Sequence, residues 1–166
     1  HMAEEPGTAV SVSGEAFLAR QEELTSVAAS GKTIVINGLE PGTYDIAGTE
    51  VKVKACGMRA LHFVSRKTGH PLVEGFTPYD FRLWYDTEKD RITPLLRRTF
   101  TADGMTPILT SGNSLTASAW GQKLYPAFAC AEMKCGNGKI ILNEVDLDSH
   151  LANPVARIFK NRLMRY

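Results

Sequence analysis

The sequence predicts one α/β domain whose central sheet is mostly parallel and carries helices on both faces. Residues 32–37 form a continuous apolar run, which is typical of a parallel strand buried on both faces. A second run, residues 139–147, follows a Gly-Asn-Gly turn at 136–138. Asn153 and Pro154 then have the residue types that begin a helix. A strand followed by an amphipathic helix is typical of the last unit of such an α/β domain.

The N-terminal part of the chain predicts a strand, a helix and a second strand. Residues 8–12 alternate as a short strand, and Ser13 is placed to cap a helix that ends at Gly31. The apolar residues of this helix share one stripe: Phe17, Leu24, Val27 and Ala28. Together with the run at 32–37, this unit predicts a right-handed crossover between parallel strands. It supports a doubly wound core.

The middle of the chain predicts shorter elements. We expect a loop or the start of a hairpin at 38–49, an edge strand at 50–55, a short strand at 61–65 and a turn at 70–76. Thr77 and Pro78 would cap a short helix from Tyr79 to Trp84. Residues 91–100, broken at Pro94, would pair with 107–110, and residues 125–133 with 139–147.

Composition limits the classes of partner. The 166 residues suit one domain, which we place at 8–166, after a disordered start at 1–7 whose His1-Met2 resembles the remnant of an expression tag. A net charge of +1 predicts no nucleic acid partner, and no apolar run approaches the roughly 20 residues that span a membrane. We expect neither class of partner.

Three cysteines, Cys56, Cys130 and Cys135, give an odd count without a disulfide framework. This favours a reducing, cytoplasmic compartment, although a fragment does not define where its parent protein resides. Cys130 and Cys135 lack a second Cys or His pair, so we predict no metal and no cofactor.

Several segments, in order, resemble a known domain. They are 70–76 (HPLVEGF), 80–85 (DFRLWY), Trp120, 125–127 (YPA), 136–142 (GNGKIIL) and 153–156 (NPVA). This set resembles an accessory domain found late in bacterial glycoside hydrolase family 2 proteins, which are β-galactosidase-like or β-glucuronidase-like. The match covers residues 8–166. It implies a three-layer, flavodoxin-like fold of the class I glutamine amidotransferase type.

The resemblance implies a non-catalytic accessory or scaffold domain of a carbohydrate-metabolising glycoside hydrolase. Its partners would be other domains of the same parent chain, a second copy in a homo-oligomer, or carbohydrate. Two alternatives stay open: a carbohydrate-binding module, and a small Cys-dependent hydrolase of the amidotransferase type.

No residue is predicted to be catalytic. Cys56 precedes Gly57, but no helix pattern follows to complete a nucleophile elbow. Each histidine considered has a structural explanation: His62 in an apolar strand, His70 in a turn, and His150 near the acidic Asp146 and Asp148. Glu144 and Asp146 alternate on one strand, so they cannot flank a sugar from opposite sides.

Four aromatic residues are the predicted contact residues: Trp84, Tyr85, Trp120 and Tyr125. Aromatic side chains anchor protein interfaces and also stack on sugar rings, and many simply fill a core. The aromatic residues at 79–85 cannot all face one side of a helix, so we expect Trp84 or Tyr85 to be exposed. We therefore predict an interface or a carbohydrate contact at these residues.

Overall fold

The computed structural model describes residues 8–56, 64–65, 68–77, 79–111 and 127–166. Strands hold 42% of these residues and helices 25%. The helices are α1 (Gly14–Ala19), α2 (Gln21–Ala29) and α3 (Pro154–Arg165), with 3-10 turns at Pro71–Val73 and Asp148–His150. No helix in the described ranges combines the length and apolar character needed to cross a bilayer.

Eleven strands occur in the described part of the chain. The first six are β1 (Val10–Ser13), β2 (Thr33–Asn37), β3 (Gly42–Ile46), β4 (Thr49–Ala55), β5 (Val64–Ser65) and β6 (Trp84–Asp86). The others are β7 (Arg91–Thr93), β8 (Arg98–Ala102), β9 (Thr106–Ser111), β10 (Ala127–Cys135) and β11 (Gly138–Asn143).

One large mixed sheet has the strand order β1-β2-β11-β10-β8-β4-β3. Strands β1, β2 and β11 run parallel, and every other pairing is antiparallel. Strand β9 pairs with β10 and β5, while β6 and β7 form a separate hairpin. A parallel edge of three strands is thus joined to a larger antiparallel part.

The predicted flavodoxin-like, three-layer fold with a mostly parallel sheet is wrong. The sheet is mixed and curled, and helices are few among the described residues. The physical reason lies in the connections, because a two-residue turn can join only antiparallel neighbours. Such turns join β3 to β4 at Ala47-Gly48 and β10 to β11 at Gly136-Asn137. Among the described residues, β1 and β2 are the only consecutive strands joined through α-helices, a connection that permits their parallel pairing.

The two apolar runs lie in the interior of the sheet, as predicted, and the structure shows that they are adjacent parallel strands. Ile34 of β2 pairs with Ile140 of β11, and Val35 pairs with Ile141. Because side chains alternate between the two faces of a strand, these pairs contribute to two separate cores. Ile34 and Ile140 pack beside α1 and α2, while Val35 and Ile141 pack beside α3.

Helices α1 and α3 begin where their sequences indicate. The Ser13 hydroxyl accepts a hydrogen bond from the Ala16 amide at 3.1 Å, and the Asn153 side chain accepts one from the Val155 amide at 3.0 Å. The single N-terminal helix predicted up to Gly31 is interrupted at Arg20, which separates α1 from α2. Phe159 and Leu163 are buried on the inner face of α3.

Three predictions for the middle of the chain are wrong. Strand β4, expected at an edge of the sheet, is paired with β3 on one side and β8 on the other. The expected helix from Tyr79 to Trp84 is a pair of turns followed by β6, and the structure does not describe its proposed cap, Pro78. The expected hairpin between 91–100 and 107–110 does not form, since β8 pairs with β4 and β9 pairs with β10. The hairpin across Gly136-Asn137 is confirmed.

The Gly138 position gives a test of this packing. A Cβ atom there would overlap the carbonyl oxygens of Ala28 and Lys32, which belong to backbone that cannot easily move. We expect Gly138→Ala to lower the free energy of unfolding by about 3 kcal/mol, at the upper end for overpacking. Gly104→Ala is the control, because nothing lies within 4 Å of its added Cβ and only its positive φ of 86° is penalised. Equal losses of unfolding free energy in the two variants, measured by urea denaturation, would contradict the close packing at Gly138.

Candidate functional site

A cleft of about 240 Å³ opens where the three parallel strands end. Its lining includes Ser11 of β1, Asn37 at the end of β2, and Asn143 at the end of β11. Arg98 of β8 and Glu144 contribute from the antiparallel side. In sheets with parallel strands, ligands favour the crevice at the carboxyl ends of the strands. We refer to this cavity as the strand-end cleft.

Side-chain amides connect the ends of the parallel strands. Asn37 and Asn143 are register partners, and Asn143 Nδ2 donates to Asn37 Oδ1 at 3.2 Å. Asn37 Nδ2 donates to Ser11 Oγ at 2.8 Å, while Asn143 Nδ2 also donates to the Val145 carbonyl at 3.1 Å. These bonds hold both amides in fixed orientations at the wall of the strand-end cleft.

Glu144 is a carboxylate almost removed from solvent, with 6% of the residue exposed. Its Oε1 accepts a hydrogen bond from the Leu39 amide at 2.7 Å. Its Oε2 lies 3.2 Å from Arg98 Nε, although the angle does not complete a hydrogen bond. Arg98 also pairs with Glu40 at 2.5 Å, so the guanidinium is shared between two carboxylates.

Burial changes the protonation of Glu144. Loss of solvation raises the pKa of this carboxyl to about 7, against the opposing effects of the Leu39 amide and the Arg98 charge. Both forms are therefore present near neutral pH, and each makes different hydrogen bonds. The neutral acid donates, whereas the carboxylate only accepts. Arg98 and the two amides complete a polar wall that can recognise hydroxyl or amide groups.

A second polar cluster joins the end of α3 to the β10–β11 hairpin. His70 Nδ1 accepts from the Leu72 amide at 3.2 Å, so its proton lies on Nε2, which donates to Glu132 Oε1 at 2.9 Å. Tyr166 donates to the same oxygen at 3.3 Å, and the Lys139 ammonium lies 3.8 Å from the Tyr166 ring centroid. These contacts fasten the last residue of the chain, which is a structural role.

His150 is also fully hydrogen-bonded. Its Nδ1 donates to the Asp146 carbonyl at 2.7 Å, which leaves Nε2 to accept from the Thr93 hydroxyl at 2.6 Å. The residue is 1% exposed and packs against Trp84. His62 lies outside the described residues. Among the residues that are described, no group of three His, Cys, Asp or Glu side chains is placed to hold a metal ion.

All three cysteines are buried and free. Burial raises the pKa of the Cys56 thiol, which donates to the Leu96 carbonyl at 3.7 Å. Burial raises the pKa of Cys130 further. A nucleophilic cysteine needs a lowered pKa and access to substrate, and Cys56 has neither. Gly57, which would continue a nucleophile elbow, lies outside the described residues.

The predicted contact residues have different positions. Trp84 is 1% exposed and fills the core between Phe81 and His150. Tyr85 is 43% exposed on the opposite side of β6. Trp120 and Tyr125 lie outside the residues that the structure describes. Neither described aromatic residue lines the strand-end cleft.

Sequence reasoning did not identify the strand-end cleft. It treated Glu144 as one of two strand carboxylates and assigned no role to Asn37, Asn143 or Arg98. One signal was present in the sequence: Asn37 and Asn143 each come directly after the apolar residues of their run. Parallel strands bring such residues to one edge of a sheet. The contribution of Arg98 required the pairing of β8 with β10, which has no local sequence signal.

Glu144 predicts a specific dependence of stability on pH. Because the folded pKa of about 7 exceeds the ordinary value of 4.5, folded protein binds this proton more tightly than unfolded chain does. The resulting stabilisation is complete below pH 4.5 and is lost as pH rises through 7. By linkage it amounts to about 3 kcal/mol. In Glu144→Gln, we expect the free energy of unfolding no longer to fall in this way as pH rises. Urea denaturation between pH 5 and 8 measures it.

Glu22→Gln is the matched control, since Glu22 is exposed on α2. This control should follow the pH dependence of the unmodified protein. Parallel stability curves for Glu144→Gln and the unmodified protein would show that Glu144 titrates normally.

Comparison with known proteins leaves the family open. No family model and no curated protein matches the sequence. The β-galactosidase from Rahnella sp. R3 aligns with 93% of this chain at 12% identity and a TM-score of 0.48. The β-galactosidase from Bacillus circulans sp. alkalophilus aligns with 95% at 12% identity and a TM-score of 0.45. This chain covers 22% of each of those chains, and such low scores establish neither a family nor a function.

Proposed function

We propose that this chain is a non-catalytic accessory domain of a larger glycoside hydrolase and that it packs against another domain of the same polypeptide. The contact would use the outward side of the β6–β7 hairpin and the turn before it. We call this surface the hairpin face and define it by Tyr79, Leu83, Tyr85 and Ile92. The observation that carries the proposal is the concentration of exposed apolar side chains there.

The hairpin face exposes much of the apolar surface found outside the core. Seven large apolar side chains are exposed in the described part of the chain, and four of them lie within residues 79–93. Tyr79 is 74% exposed and Ile92 is 51% exposed. Tyr85 and Ile92 are direct partners across the two strands, so they face the same side. Exposed apolar groups concentrated in this way are typical of a contact surface.

Hydrogen bonds and burial in the core hold the inner side of the β6–β7 hairpin in place. Trp84 lies on the inner side of β6, where its indole nitrogen donates to the Asp80 carbonyl at 2.7 Å. Asp86 is buried, and one of its oxygens accepts from the amides of Glu88 and Lys89 at 3.0 and 3.1 Å. These bonds fix the turn between the strands. A surface held in this way loses little conformational entropy on binding.

The size of the hairpin face favours a partner in the same polypeptide. Stable complexes between separate proteins bury roughly 800 Å² on each partner, which corresponds to about 20 residues or more. Four side chains on a two-stranded hairpin and the turn before it offer much less. A covalently linked domain needs less contact area, because linkage raises its effective concentration. The Tyr85 hydroxyl is already bonded to Asp90, which leaves it less free to bind a sugar.

The class of the parent protein rests on the sequence resemblance to accessory domains of family 2 glycoside hydrolases. The two structural neighbours are also β-galactosidases, but their TM-scores add no weight. The hairpin face supports a packing role whatever the parent's substrate is.

Footprinting in two contexts tests the packing role. Carbene labelling should modify Tyr85 readily in the isolated chain and much less in the full-length parent protein, because a neighbouring domain would cover it. Tyr44, on the distant edge strand β3, is the internal control and should be labelled equally in both. Equal labelling of Tyr85 in both contexts would refute the proposed contact.

Alanine substitutions distinguish the two sides of the hairpin. Trp84→Ala should lower the free energy of unfolding by about 3–5 kcal/mol, because it leaves a cavity in the core. Tyr85→Ala should change it by less than about 1 kcal/mol in the isolated chain, as expected for an exposed position. Denaturant titration measures both. A large loss for Tyr85→Ala would mean that this side chain supports the domain itself and not a contact.

A further inference from the structure

The strand-end cleft has hydrogen-bonding capacity that the protein does not use. The Oδ1 atoms of Asn37 and Asn143 each accept one bond and retain a second lone pair. The Ser11 hydroxyl accepts from Asn37, and the described residues provide no acceptor for its own proton. Arg98 Nε and Glu144 Oε2 are paired with each other at 3.2 Å, whereas the rest of the Arg98 side chain is partly exposed. Donors and acceptors are thus both available along one wall.

The charges of the strand-end cleft are balanced. Three lining residues are basic and three are acidic: Arg97, Arg98, Lys160, Glu144, Asp146 and Asp148. Two of the pairs are already close, since Lys160 lies 2.5 Å from Asp148 and Arg98 lies 3.2 Å from Glu144. A ligand with a large net charge would gain little from this arrangement and would lose its hydration. The balance favours a neutral, polar ligand.

Size and apolar contacts narrow the ligand class further. The volume of about 240 Å³ is below the roughly 300–1,000 Å³ that is usual for drug-sized ligands. Val35, Leu147 and Leu163 add apolar surface beside the polar wall. A small ring with carbon–hydrogen bonds on one face and hydroxyl groups around its edge meets both surfaces. Hydroxyl groups also donate and accept, as the unused atoms require.

We propose that the strand-end cleft binds one neutral cyclic polyol of the size of a single monosaccharide ring. Its hydroxyl groups donate to Asn37 and accept from Ser11 and Arg98, while Asn143 and Glu144 lie buried behind these residues. The site is separate from the hairpin face and does not depend on the packing role. It is a binding site without a covalent step.

Amide NMR on the isolated chain tests the proposal with three probes, D-galactose, D-glucose and myo-inositol. At least one should give saturable shifts in the side-chain amide signals of Asn37 and Asn143 and in the backbone amide of Leu39. We expect a dissociation constant of roughly 1 mM, as for a small ligand with few contacts. Inorganic phosphate and putrescine, as charged probes, should give no saturable shifts at these signals.

Substitutions at Ser11 locate the site. Ser11 is exposed on the edge strand β1, so Ser11→Trp can obstruct the strand-end cleft and Ser11→Ala removes one hydroxyl. We expect Ser11→Trp to abolish the saturable shifts and Ser11→Ala to weaken binding about 3–10-fold. Ser26→Trp and Ser26→Ala on α2 are the matched controls and should bind as the unmodified protein does. The amide spectrum of each variant reports whether it is folded.

Three results would overturn the proposal. The first is the absence of saturable shifts with all three neutral probes. The second is equal or tighter binding of phosphate or putrescine at the same amides, which would assign the strand-end cleft to a charged ligand. The third is unchanged binding in Ser11→Ala together with shifts outside the strand-end cleft. Tyr85 labelling is independent of each result, so the packing role stands or falls separately.

Discussion

The buried carboxyl group of Glu144 connects the elements that meet at the point where the sheet divides. Strand β10 pairs with β11 from Cys130 onward and with β8 at Phe128, so β11 and β8 diverge between these positions. Glu144 contacts three parts of the chain there. Its amide donates to the Ala129 carbonyl of β10 at 2.9 Å, and its Oε1 accepts from the Leu39 amide in the loop after β2. Its Oε2 faces Arg98 of β8. Without these partners, a carboxylate at this depth would be strongly unfavourable.

This division of the sheet also produces the strand-end cleft. Parallel strands that end beside a diverging antiparallel strand leave a gap, and polar groups line it because backbone and side-chain groups there need partners. The raised pKa of Glu144 follows from the same burial. The hairpin face has a different origin, since Trp84 fixes its inner side to the core and leaves Tyr85 and Ile92 outside. One domain therefore presents a polar cavity and an apolar surface.

The sequence predicted local elements better than their arrangement. Apolar runs, the Gly136-Asn137 turn and the caps at Ser13 and Asn153 each depend on neighbouring residues, and the structure confirms them. The strand order depends on distant pairings, such as β8 with β4, which leave no periodic signal. For the same reason the sequence indicated the asparagine pair of the strand-end cleft only indirectly and did not indicate Arg98. It also did not distinguish the buried Trp84 from the exposed Tyr85.

Hydrogen exchange at the Leu39 amide tests most directly whether Glu144 holds the divided sheet together. This amide donates to Glu144 Oε1, so the account predicts strong protection in the unmodified protein and at least about tenfold less in Glu144→Ala, which corresponds to 1.4 kcal/mol. The amide of Ile46, in the distant β3–β4 hairpin, should keep its protection under the same conditions. Unchanged protection of Leu39 in Glu144→Ala would contradict the account, because the carboxylate would then not hold the two parts of the sheet together.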